Sequence, residues 1–158
     1  MSDPTTSTAT APDVEFPARL RLAIARMARR LRQEAGTDLG PSGTAALATI
    51  ERHGPLAPSE LADREQIKRP TATRILARLG ELGLVDRIPD PGDRRCAIVS
   101  ISPEGRALLR SLRQRKTAYL ATRLRELSPE DVQALERAAD VLEGMLEAEG
   151  SERGGGRA

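Results

Sequence analysis

The chain has almost nothing aromatic to build with: its 158 residues include one phenylalanine, Phe16, one tyrosine, Tyr119, and no tryptophan. Its core must therefore be assembled from Leu, Ile, Val, Ala and Met. That set favours helix packed on helix over a large sheet, where aromatic and β-branched residues dominate. Small aliphatic side chains bury little area each, so a subunit of this size is expected to draw part of its stability from a partner subunit. With 39% hydrophobic and 30% charged residues, the balance still permits one folded domain.

Hydrophobic periodicity divides that domain. Residues 1–15 are rich in Ser, Thr, Ala, Asp and Pro and read as a disordered tail, as do the glycine-rich residues 150–158. Between them, Leu20, Ala23, Ile24, Met27 and Leu31 recur at helical steps over residues 16–34, with six arginines on the other faces. A second helix follows Gly40-Pro41-Ser42, with Ala46, Leu47 and Ile50 inward, and stops at His53-Gly54. A short third helix spans Pro58 to Arg64 around Leu61 and Ala62. A fourth runs from Arg69-Pro70 to about Leu82, with Ala72, Ile75, Leu76, Leu79 and Leu82 inward. Residues 84–88 and 96–101 read as strands joined by the turn sequence Asp90-Pro91-Gly92-Asp93. Ser102-Pro103 and Ser128-Pro129 each supply a serine cap and a proline in the first helical turn, opening two long helices over residues 102–149.

Several kinds of chemistry find no support. With a single Cys and a single His the chain can form no internal disulfide, and it offers no metal-ligand set. There is no glycine-rich phosphate loop, nucleophile elbow or His-Glu-x-x-His, so neither catalysis nor a cofactor is expected. The N-terminal segment lacks the basic-then-apolar pattern of a secretory signal, and no apolar run reaches membrane-spanning length. The expected location is cytoplasmic.

The informative segment is Lys68 to Arg95. From Lys68 to Gly80 there are four cations, Lys68, Arg69, Arg74 and Arg78, and no acid. They crowd toward the start of the fourth helix, where a recognition helix meets the major groove. Thr71 and Thr73 and the helix N-terminus at Pro70 are suited to phosphate oxygens. A hairpin directly after such a helix, with Arg94 and Arg95 beside its turn, has the makings of a wing. There an Arg enters the minor groove, and Asp90 and Asp93 hold the arginines in orientation. Arginine far outnumbers lysine, which suits paired hydrogen bonding to phosphate and base edges.

These residues resemble the multiple-antibiotic-resistance regulator (MarR) family. The resemblance is carried by Glu60-Leu61-Ala62, by Pro70-Thr71-Ala72-Thr73-Arg74-Ile75-Leu76-Ala77-Arg78-Leu79 and by Leu82-Gly83-Leu84-Val85-Asp86-Arg87. Asp90-Pro91-Gly92-Asp93-Arg94-Arg95 and Val99-Ser100-Ile101-Ser102-Pro103-Glu104-Gly105 complete it. It implies a mostly α fold with a small β-hairpin wing: a winged helix-turn-helix over about 41–101 between dimerisation helices at 16–34 and 102–149. It further implies a homodimer on a pseudo-palindromic double-stranded DNA operator, repression, and a pocket for a small lipophilic or aromatic effector. By position Thr71, Thr73, Arg74 and Arg78 match the family's recognition-helix contacts, and Arg94 its wing-tip arginine. The chain departs from many members at Gly92, where they carry a basic residue. It departs again at Lys68 and Arg69, where they carry a capping Asp or Ser.

Two alternatives stand beside this reading. The first is a winged-helix fold kept as a protein-interaction module without DNA binding. The second is a redox-sensing regulator acting through Cys96, whose neighbours Arg94 and Arg95 favour a thiolate if the thiol is exposed. A buried, inert Cys96 is the simpler expectation.

Overall fold

The computed structural model describes residues 15–89, 92 and 97–154, with residues 149–154 described by backbone alone. The elements run α1 (Glu15–Ala35), α2 (Gly40–His53), α3 (Pro58–Arg64), α4 (Arg69–Glu81), β1 (Val85–Pro89), β2 (Ala97–Ile101), α5 (Pro103–Leu124) and α6 (Pro129–Gly154). The order matches the sequence expectation. The bounds differ at the ends: α2 already includes Gly40-Pro41-Ser42, and α6 runs through Gly154, into the stretch read as a tail.

The chain divides into two compact units at Lys116–Thr117, inside α5. In the first unit, Ala46, Leu47 and Ile50 of α2, Leu61 and Ala62 of α3, and Ala72, Leu76 and Leu79 of α4 form one buried cluster. Leu84, Val99, Ile101, Leu109 and Leu112 join it from the hairpin and α5. No aromatic side chain contributes to this cluster. Leu82, read as inward, is instead exposed. The helix ends at Glu81, Leu82 is its cap residue, and Gly83 turns the chain at φ +67°, so that Leu84 drops into the core in its place. Only a glycine takes that backbone conformation without cost.

The two strands pair antiparallel, with Val85 opposite Ile101 and Pro89 opposite Ala97. Val99 also pairs with Leu56, through Leu56 N–H to Val99 O at 3.0 Å and Val99 N–H to Leu56 O at 2.8 Å. The base of the hairpin is thereby tied to the segment preceding α3. Ser102 joins the hairpin to α5. It is buried, donates its hydroxyl to Gly83 O at 2.7 Å and accepts the Gly105 N–H at 3.0 Å, while its own N–H meets Leu84 O at 3.1 Å. A Cβ at Gly105 would press into the Leu84 carbonyl oxygen. The end of α4, the base of the wing and the start of α5 therefore share one satisfied polar joint.

Further along α5, Arg113 pairs with Glu51 of α2. Arg115 donates to Ala35 O at 2.6 Å and Gly36 O at 3.1 Å, serving carbonyls that the end of α1 leaves without helical partners. Helix α1 leaves Phe16 and, from its apolar row, Leu20, Ile24 and Met27 exposed.

In the second unit, Ser128 caps α6, accepting the Asp131 N–H at 3.1 Å and donating to the Asp131 carboxylate at 2.8 Å. Arg123 lies 5.4 Å from the centre of the Tyr119 ring. The hydrogen bond to Tyr119, then Glu126, raises its pKa above the ordinary arginine value. Leu135, Val141, Met145 and Leu146 of α6 are exposed. Among the described residues no helix is long and apolar enough to cross a membrane.

Candidate nucleic-acid interface

Helix α4 begins at Pro70 in its first turn, after Lys68 in extended backbone, with no side-chain cap. The missing cap follows from the residue types, since neither Lys nor Arg offers an acceptor. The backbone itself has little to spare for an anion. Pro70 supplies no N–H, and the Thr71 N–H is taken by Lys68 O at 2.9 Å. The cationic side chains of Lys68 and Arg69 are both exposed at this helix end.

With Ala72, Leu76 and Leu79 buried, the opposite stripe of α4 is Pro70, Arg74, Ala77 and Glu81, all exposed. Arg78 flanks this stripe on one side and Thr73 on the other. The Thr73 hydroxyl donates back to Arg69 O at 3.1 Å, which leaves its lone pairs available to accept. Thr71 is half-buried, so the structure places it on the shoulder of the helix and not on its open face. Arg74 and Arg78 line one side of a cleft of about 240 Å³ whose other wall is the start of α2, with Leu39, Ser42 and Gly43.

Of the wing, the two strands and an exposed Gly92 are described. Asp90, Asp93, Arg94, Arg95 and Cys96, on which the sequence reading placed the wing tip, its support and a thiol, lie outside the described residues. Two features escaped the sequence reading. Arg87, exposed on β1, adds a cation to the wing strand. Glu81 pairs with Arg78 at 3.3 Å. Their i, i+3 spacing is the signal that announces such a pair.

A second, larger cavity of about 890 Å³ opens among the end of α1, the start of α2 and α5 up to Lys116. Aliphatic side chains such as Leu31, Ala45, Ala48 and Leu112 line it, with Arg29, Arg32 and Lys116 as its charged residues. No acid and no aromatic ring stands among its described lining residues.

Comparison with known proteins bears on the same segment. The model of the MarR family matches residues 41–97, the span from α2 to the start of β2. A helix-turn-helix-type transcriptional regulator of Mycobacterium bovis is 34% identical over 136 residues, covering 85% of this chain and 95% of that protein. The multiple antibiotic resistance protein MarR of Salmonella typhimurium is 30% identical over 100 residues, 63% of this chain and 69% of that protein.

The chain belongs to the MarR family. As a MarR-family protein it is a DNA-binding transcriptional regulator on a winged helix-turn-helix fold, with α3 and α4 as the helix pair and β1–β2 as the wing. A crystal structure of a transcriptional regulator from Pseudomonas aeruginosa shares the fold at a TM-score of 0.76 and 32% identity, over 87% of this chain and 97% of that one.

Proposed function

We propose that this MarR-family regulator binds a pseudo-palindromic operator as a homodimer, represses transcription from it, and lets go when an anionic small molecule fills its larger cavity. The observation that carries the reading is the open face of α4, where Lys68, Arg69, Arg74 and Arg78 are exposed beside a two-stranded hairpin. Arg74 sits mid-helix on the stripe opposite the core and is assigned a base contact. Lys68, Arg69 and the flanking Thr73 are assigned phosphate contacts. Thr71 plays a lesser part from its half-buried position. On the wing, Arg94 and Arg95 are assigned to the minor groove and Asp90 and Asp93 to their support. NicR of Pseudomonas putida, 36% identical over 93 residues, is named a repressor, which favours the negative sense of regulation.

The dimer is supported by apolar surface that a single chain leaves open. Ile24 of α1 is 46% exposed, and Val141 and Leu146 of α6 are 63% and 70% exposed. The cavity supports an effector with an aliphatic body and a negative charge, because three cations and no carboxylate line its described wall. Binding by stacking on aromatic rings finds no partner there.

Selection of bound fragments from genomic DNA by the purified dimer yields the operator. Its affinity is then expected to fall by orders of magnitude between roughly 50 and 200 mM salt. Arg74→Ala is expected to lose about 1–3 kcal/mol of discrimination at one base step, read by fluorescence anisotropy against single-base variants. An unchanged preference profile removes Arg74 from base reading. Salt-insensitive or absent binding removes the reading altogether and favours an interaction module.

A further inference from the structure

The one acid on the exposed stripe of α4 has no place in a simple cationic clamp. Pro70, Arg74, Ala77 and Glu81 follow one another at steps of four, three and four residues, so Glu81 shares the face that carries Arg74. A carboxylate there repels phosphate, and at the last turn of a helix it also meets the negative end of the macrodipole. Neither effect favours glutamate at this position. What the structure supplies in exchange is the contact to Arg78: its Nη1 lies 3.3 Å from Glu81 Oε2, with both side chains about two-thirds exposed. In water such a pair is worth little. Between a helix and a DNA groove, where water is displaced, the same pair strengthens and holds a long flexible side chain in one orientation.

We infer that Glu81 is a positioning residue for DNA recognition: it orients the Arg78 guanidinium for one base or phosphate geometry and exchanges general affinity for selectivity. The inference rests on the reading of α4 as the operator-facing helix. Arg78 also lines the cleft against Ser42 and Gly43 at the start of α2. In this one orientation the Arg78 side chain both meets Glu81 and borders that cleft.

The test uses the full-length dimer and two probes: the duplex most enriched by the wild-type protein from a randomised library, and a shuffled duplex of equal length. Wild type, Glu81→Gln, Arg78→Ala and the double variant are compared by anisotropy at several salt concentrations. Circular dichroism verifies that these surface variants fold. Glu81→Gln is expected to tighten the shuffled duplex severalfold, by removing a charge that opposes phosphate. It is also expected to shrink the selected-to-shuffled affinity ratio by about tenfold, within the range one oriented contact supplies. In the Arg78→Ala background the same change should leave the ratio where it stands.

If both duplexes tighten equally, Glu81 is a surface charge and the inference fails. If the ratio falls as far without Arg78 as with it, Glu81 reads DNA by itself and the inference fails again. If the wild-type protein enriches nothing, the reading of α4 falls first and carries the inference with it.

Discussion

Helices α4 and α6 each carry a row of apolar residues, yet the two regions use them in opposite ways. Ala72, Leu76 and Leu79 of α4 are almost wholly buried within the first unit, against α2, α3 and the hairpin. Among the described residues of α6 none is buried, and Leu146 is 70% exposed. The first stripe is satisfied inside one chain and the second is left open. An amphipathic pattern states that a face will be covered but is silent on whether its own chain covers it. The winged lobe therefore covers its own apolar stripe, whereas that of α6 stays exposed in a single chain.

Substitutions on the two stripes test that contrast most directly. Leu79→Ala, at 0% exposure, is expected to cost about 2–5 kcal/mol through lost transfer energy and a residual cavity, read as a lowered urea midpoint. Leu146→Asp should leave the lobe folded and shift the proposed dimer toward monomer in sedimentation. A lobe that unfolds with Leu146→Asp, or a Leu79→Ala protein as stable as wild type, breaks the contrast.

A smaller loss is expected at the joint between wing and α5. Ser102→Ala removes a hydroxyl that both caps α5 and serves Gly83 O, for a predicted cost of about 1–2 kcal/mol. Because the joint fastens α4 to the hairpin, operator affinity should fall with stability. Unaltered affinity in a destabilised variant would show that the wing is held in place elsewhere.

The smallest effect runs the other way. Gln66, in the turn between α3 and α4, has φ +54°, a conformation disfavoured for any residue with a Cβ. Gln66→Gly should raise stability by up to about 1 kcal/mol, the relief of strain being partly offset by glycine's greater unfolded freedom. A lowered urea midpoint would mean that the glutamine side chain contributes more than its backbone costs.

Much of the lobe was legible beforehand because its signals are local. Pro70 marks the start of α4, Ser102 and Ser128 act as caps, and the buried pair Leu61 and Ala62 follows from spacing alone. Leu82 misled because it continues the apolar spacing one step past a helix that has already ended, and the turn at Gly83 hands its place to Leu84. Thr71 was matched to phosphate oxygens, although its angular position falls at the edge of the apolar stripe, where the neighbouring elements determine exposure. The engagement of Glu81 with Arg78 depends on rotamers that the sequence does not specify.

Composition and periodicity alone dictated an aliphatic, largely helical domain, the order of its elements and a cationic, acid-free run at the head of α4. All of these depend on each residue's chemistry and its near neighbours along the chain. The cavity bearing Arg29, Arg32 and Lys116, the Arg115 cap on α1 and the joint around Ser102 came only from the tertiary structure. They bring together groups from helices distant in sequence, and packing in three dimensions alone determines which of those groups meet.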